Sequence, residues 1–366
     1  MRKLFTIAFL LCSAAFYLCA QSDARMDFES YDPPSSLVVP EHLYTHAKFP
    51  FIDAHSHHWQ MATQDLDKLM REMDSLNMGI VVNLSGRNSE VLKAMMDNVK
   101  KYGYEKRIAI FSNISFNGID DADWASNTVK QLDYDYKNGA KGLKIYKNLG
   151  MDVKDSKGNR VPIDDPRMDK VWDKCGELGI PVFIHSADPK QFWEPFDSTN
   201  ERWLELKTHP GRNREDDKDL PSWAKIMDEQ HNMFKKHPKT KFIAAHMSWH
   251  ANDLDELGRL LDAIPNMNVE IGAVIAELGR QPRQALKFFT RYQDRVLFGK
   301  DSYVPNEYPT YFRVLESADE YFPYYKRYHA FWRMYGLELP DAVLKKLYYK
   351  NALRLIPGLD ASRFPK

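Results

Sequence analysis

The residues most able to do chemistry sit at the ends of short apolar runs. In Phe51-Ile-Asp53-Ala-His55-Ser-His57, side chains of a strand alternate between faces, so His55 and His57 share one side. Two imidazoles spaced this way can clasp one divalent cation. The run Pro181–His185 also ends in histidine, as does Phe242–His246, and Val296–Asp301 ends in aspartate. Three or four histidines with one aspartate suit zinc, or manganese or iron. His58 points to the opposite side of its strand and reads as structural. His250, about one turn past His246, reads as support for it.

Stepping from the donors to what must position them, the sequence alternates strand-like and helical stretches from residue 49 onward. The strand-like runs are Phe51–His57, Ile80–Leu84, Ile108–Ile114, Gly142–Tyr146, Pro181–His185, Phe242–His246, Val269–Ile275 and Val296–Gly299. Between them, Leu66, Leu69, Met70, Met73 and Leu76 follow helical spacing, as do Val91, Leu92, Met95, Met96 and Val99, and Leu254, Leu257, Leu260 and Leu261. Eight β-then-α units predict an α/β fold, a (β/α)8 barrel over residues 49–366, whose strands bring their C-terminal ends to one site. No glycine-rich phosphate fingerprint follows the first strand, which argues against a dinucleotide fold. Asp341–Leu355 reads as a closing helix on the outside of the barrel, stopped by Pro357-Gly358. The connection over residues 187–222 is long for this fold and reads as a substrate lid.

Lys+Arg and Asp+Glu both number 51, so no charge excess points to nucleic acid. Hydrophobic residues make up 43% and charged residues 28%, which is enough apolar material for one large core. Arg2 and Lys3 precede an apolar run from Leu4 to Leu18, and the small Ala20 precedes Gln21. Residues 1–20 therefore read as an export signal, with the mature protein periplasmic or secreted and a lipid anchor at Cys19 as the alternative. The run is short for a transmembrane helix, and no other stretch could span a bilayer. Residues 21–48 form a polar, proline-containing lead-in. Cys175 would be alone in the mature chain, and its helical neighbours mark it as a buried structural thiol. A small molecule is the expected partner, and a homo-oligomer is compatible with the sequence.

Taken together, Asp53-Ala-His-Ser-His57, Lys141-Gly-Leu-Lys-Ile145, the strands ending at His185 and His246, Asp294–Asp301 and Lys350-Asn-Ala352 resemble the amidohydrolase superfamily, most closely its amidohydrolase-2 group. The resemblance spans about residues 49–356 and implies that His55, His57, His185 and Asp301 hold one catalytic metal, with zinc preferred. It also implies a position for His246 beside the activated water or the substrate. Lys300 departs from the group, which often has a small or hydroxyl residue there. In binuclear relatives a carboxylated lysine bridges two metals, and Lys144 is the residue here that would do so. The preferred reading keeps one metal and makes Lys144 a substrate contact.

A divalent ion acidifies its water and polarises a carbonyl. Asp301 would then serve as general base, and His246 would stabilise an oxyanion or shuttle the proton. The expected reaction is hydrolysis of a lactone, ester or amide in a small, carbohydrate-type substrate, and export favours water as the cosubstrate. The alternatives are non-oxidative decarboxylation of a small carboxylic acid and a non-catalytic binding barrel. Arg202 and Arg280 are candidates to grip a substrate carboxylate, while Tyr146 and Trp59 are candidates to wall the pocket.

Overall fold

Eight short parallel strands form the centre of the chain: β1 (Phe51–Ser56), β2 (Met78–Asn83), β3 (Ile108–Ile110), β4 (Leu143–Ile145), β5 (Val182–Ile184), β6 (Phe242–Ala244), β7 (Met267–Glu270) and β8 (Val296–Leu297). Pairing runs β1-β2-β3 and β4 through β8, all parallel. Single bridges join the two sheets, Ser112 with Leu143 and Ser56 with Asp301, so the ring closes into the expected barrel. The second seam runs through the chemistry. The Asp301 amide donates to the His55 carbonyl at 2.7 Å, which makes these two candidate ligands neighbours across the closure.

This computed structural model describes residues 26–365. The expected export signal, with Cys12 and Cys19, lies outside the described residues. Contacts divide the chain into Met1–Val38 and Val39–Lys366. The described part of the first unit contains a single 3-10 turn, Phe28–Ser30, whose Glu29 amide donates to the Asp27 side chain.

Helices α1 (Leu66–Ser75), α2 (Ser89–Tyr102), α3 (Trp124–Lys137), α4 (Asp169–Leu178), α5 (Trp203–Thr208), α6 (Trp223–Lys236) and α7 (Leu254–Ala263) follow the strands. They are joined by α8 (Ile275–Arg280), α9 (Pro282–Arg291) and α10 (Tyr308–Glu316). Their apolar stripes face the barrel, as Leu66, Leu69, Met70 and Met73 do in α1. In α2 the stripe is narrower than the spacing suggested. Leu92, Met95, Met96 and Val99 are buried, but Val91 is 50% exposed.

The closing helix is α11 (Asp341–Lys345) and α12 (Asn351–Leu355), with a π-turn over Lys346–Lys350 between them. The Leu347 carbonyl in that turn accepts the Phe298 amide at 3.0 Å, so the widened turn satisfies the end of β8. A small antiparallel pair, β9 (Phe322–Pro323) with β10 (Arg333–Met334), lies after α10. Cys175 is buried and free, as expected. Among the described residues no helix is long and apolar enough to cross a membrane.

Candidate metal centre

The site is built from the C-terminal ends of β1, β4, β5, β6, β7 and the stretch after β8. His55 is buried in β1, and its Nδ1 lies 2.8 Å from Glu270 Oε1 at the end of β7. An ionised carboxylate can only accept, so Nδ1 carries the proton and Nε2 presents its lone pair. Burial, with the Lys144 ammonium adding to it, holds the His55 imidazole well below its usual pKa, and the ring is neutral.

His55 Nε2 lies 3.3 Å from Asp301 Oδ1, and His57 Nε2 lies 3.4 Å from the same oxygen. Burial alone would raise the Asp301 pKa. Positive charge at the His55, His57 and His246 nitrogens, the charge a cation there would supply, reverses this and holds the carboxylate well below its ordinary range. An imidazole lone pair facing a carboxylate oxygen is repulsive unless a cation lies between them.

His246 repeats the arrangement. Its Nδ1 lies 2.7 Å from the Gly272 carbonyl, so this nitrogen is the donor and Nε2 the free lone pair. Burial lowers its pKa to about 4. The His185 ring packs edge-on against His246 with centroids 4.4 Å apart, and burial with His246 beside it holds its pKa well below the usual value. The Nε2 atoms of His55, His185 and His246 are all buried and find no hydrogen-bond partner among the described residues. Buried polar atoms are almost always satisfied, so three orphaned imidazole nitrogens on rings packed together, one of them facing the Asp301 carboxylate, fit a divalent cation.

Two groups of side chains have donor atoms all within 4.8 Å of one another: His55–His57–Asp301 and His55–His246–Glu270. Glu270 is already occupied, since its carboxylate accepts from His55 Nδ1, the His246 amide and the Gly272 amide. It orients ligands, and the group around Asp301 is the better cation site. His185 belongs to neither group.

Behind the cluster, Asp53 accepts from the His55 and Lys300 amides at 3.0 and 3.2 Å and from the Tyr308 hydroxyl, tying β1 to the strand-eight side. Lys144 is only 1% exposed, and its Nζ finds no hydrogen-bond partner among the described residues. Burial pushes its pKa down to about 8, against the attraction of Asp301 and Glu270. The Lys300 ammonium is engaged by groups other than Asp301. Its Nζ donates to the Ser302 carbonyl at 2.7 Å and pairs with Glu307.

On the open side Trp59 stacks on His57 and on Tyr146, each at 5.7 Å. His57 Nδ1 lies 2.6 Å from Ser85 Oγ, which also meets the Tyr146 hydroxyl at 3.0 Å.

Arg202 departs from its expected part. Instead of facing a substrate, its guanidinium is buried on Glu205 (2.6 Å) and Glu277, which fasten α5 to α8. A guanidinium already paired with two buried carboxylates has little left for a third. Arg280 pairs with Glu201 at 2.7 Å. His58 meets Ser56 Oγ at 3.1 Å, and His250 Nδ1 bonds the Ser248 carbonyl at 2.6 Å.

Glu270, Ser85 and Trp249 join the site without having been expected from the sequence. Glu270 had a readable signal, since it is an acid inside an otherwise apolar strand run. Trp249 did not, because its ring reaches His246 (4.4 Å) through an unusual turn.

The family described as Amidohydrolase (Amidohydro_2) matches residues 114–358, a span that holds His185, His246, Glu270 and Asp301 but not His55 or His57. No curated protein matches the chain. Solved structures with the same fold include an uncharacterized TIM-barrel protein from Bordetella bronchiseptica, 15% identical with a TM-score of 0.52, covering 84% of this chain and 98% of that one. Another is a dihydroxybenzoic acid decarboxylase from Polaromonas sp. JS666 with bound manganese and the inhibitor 2-nitroresorcinol, 12% identical, TM-score 0.52, covering 84% and 96%. A third is 4-oxalomesaconate hydratase from Rhodopseudomonas palustris, 14% identical, TM-score 0.50, covering 85% and 97%. With the family matched over more than half its length, the chain belongs to the amidohydrolase family and is an enzyme of the TIM-barrel type.

Proposed function

We propose that this enzyme is a metal-dependent hydrolase that cleaves a lactone, ester or amide bond of a small, carbohydrate-type substrate. The observation that carries the reading is that His55 and His57 Nε2 face one Asp301 oxygen at 3.3 and 3.4 Å, with the buried His246 and His185 rings packed alongside. His55, His57, His185 and Asp301 would hold one divalent cation, with zinc preferred and manganese or iron also suited to the donors. When bound, the ion supplies charge that polarises a substrate carbonyl and acidifies a water.

The protein's own groups then have defined proton states. Asp301, held ionised, accepts the proton given up by the attacking water. His246 keeps its proton on Nδ1 against Gly272 and offers Nε2 as a second acceptor, so it shuttles a proton rather than donating to an oxyanion. The unpartnered Lys144 ammonium is the buried donor placed to stabilise negative charge on the substrate. Tyr146 and Trp59 wall the approach.

The reading also includes export to the periplasm or medium, supported by Arg2, Lys3 and the apolar run that follows.

The test is a panel of lactones, esters and amides, with decarboxylation substrates alongside, run in water enriched in heavy oxygen. Hydrolysis puts the label in the acid product. Release of carbon dioxide without label incorporation would make the enzyme a decarboxylase. His246→Asn should lower kcat by about 100-fold or more, the usual worth of a placed proton carrier. An unchanged kcat would remove His246 from the mechanism.

A further inference from the structure

Beside the cluster, the loops after β2, β3 and β4 enclose a cleft of about 780 Å³. Arg87, Tyr146, Asn148, Asp121 and Asp152 are among its lining, and Arg87 and Tyr146 also pack against Trp59.

Arg87 is held in an unusual way. Its φ is 57°, a left-handed conformation that a side chain disfavours. Asn113 fixes it from both sides, accepting the Arg87 amide on Oδ1 at 2.8 Å and donating its own amide to the Arg87 carbonyl at 2.6 Å. The guanidinium lies 4.7 Å over the Trp59 ring, and Trp59 in turn stacks on His57. Among the described residues the Arg87 guanidinium has no carboxylate partner. It is a fixed, uncompensated positive charge one ring away from a candidate metal ligand.

The same lining offers acceptors. Asn148 Oδ1 is buried and finds no donor among the described residues. Asp121 and Asp152 form no ion pair among the described residues. Their neighbours Asp120 and Asp155 are occupied, Asp120 by Arg167 and the Ser156 amide, and Asp155 by the Lys157 and Asn159 amides. A ligand complementary to this cleft carries a carboxylate and several hydroxyl donors.

We propose that the cleft is the substrate subsite and takes a polyhydroxylated carboxylate. Arg87 forks onto the carboxylate, and Asn148, Asp121 and Asp152 accept from the hydroxyls. The acidic residues repel a carboxylate and so favour its placement on Arg87. The placement of this subsite beside a reacting bond rests on the hydrolase reading; the binding itself needs no metal.

The probes are gluconate, sorbitol and hexanoate, titrated into the protein as purified and again after chelation, with tryptophan fluorescence and heat as readouts. Gluconate should bind at least tenfold more tightly than either sorbitol, which lacks the charge, or hexanoate, which lacks the hydroxyls. Arg87→Gln should weaken gluconate at least tenfold and leave sorbitol unchanged, and Arg87→Lys should recover part of the loss. Asn148→Leu should weaken gluconate and sorbitol together.

Equal binding of gluconate and hexanoate, or gluconate binding indifferent to Arg87→Gln, overturns the proposal. If chelation abolishes gluconate binding while Arg87→Gln does not, the carboxylate sits on the cation; the subsite fails and the metal reading stands. If the protein holds no metal yet gluconate still depends on Arg87, the metal reading fails and the subsite stands. Arg87 is exposed, and the melting temperature of each variant checks that it folds.

Discussion

Glu270 shows how one side chain can organise several others. It accepts from the His55 ring, the His246 amide and the Gly272 amide, and so fixes which nitrogen of His55 is left to bind a cation. Glu270→Gln exchanges one acceptor oxygen for a donor amide and disturbs that order. Metal affinity should fall by about 10- to 100-fold, as for other groups that orient a ligand from behind. Equilibrium dialysis against a competing chelator measures it. Farther out, burial, with His250 and Lys235 adding repulsion, lowers the His231 pKa to about 3. The unfolded chain binds this proton near pH 6.5, so the contribution of neutral His231 to stability is complete above that pH. It is lost as pH falls toward 3, at about 1.4 kcal/mol for each pH unit. His231→Gln should therefore flatten the acid limb of a plot of melting temperature against pH. An acid limb of unchanged steepness would show that His231 does not set it.

At the scale of elements, the turn after β6 is the least expected feature. His246, Met247, Ser248 and Trp249 all have φ between 52° and 56°, a left-handed stretch without a glycine. Such residues cost about 1–2 kcal/mol each, so the turn must be held from outside. Glu270 takes the His246 amide, and Gln230 donates to Ser248 Oγ at 2.8 Å. The turn delivers His246 and lays Trp249 on it. Because position 248 is left-handed, Ser248→Gly should be more stable than Ser248→Ala by about 1 kcal/mol, the reverse of the usual order. Chemical denaturation of the two variants decides this, and an Ala variant at least as stable as Gly would contradict it. The strand ends at His55, His185, His246 and Asp301 were legible in the sequence because each closes an apolar run. The turn was not, since nothing in Met247-Ser-Trp249 signals a positive φ. For the same reason strand β7 was read through to Ile275, although the chain leaves the sheet after Glu270.

At the scale of the molecule, residues 187–222 are tied down by charge. Arg202 joins Glu205 and Glu277, Arg212 reaches Glu205 at 2.6 Å, and Arg280 holds Glu201. Length and composition marked this connection as important, but sequence could not show that Arg202 would be matched by Glu277, 75 positions away. Arg202→Leu leaves Glu277 buried without its cation and should cost about 3–5 kcal/mol. Tryptic cleavage within 187–222 should also become faster, and an unchanged digestion pattern would show that the network does not hold the loop. The barrel itself was legible because its alternation of strand and helix repeats eight times. Its closure at Ser56 and Asp301 was not visible in sequence, yet it brings His55 and Asp301 together.

The central claim is that His55, His57, His185 and Asp301 hold a divalent cation. Elemental analysis of the purified protein tests it most directly, alongside His55→Ala and Asp301→Asn. The account predicts about one divalent ion per chain in the native protein and a large loss in both variants, with the melting temperature of the native protein falling on chelation. A native protein without stoichiometric metal, or variants that retain it in full, would contradict the account.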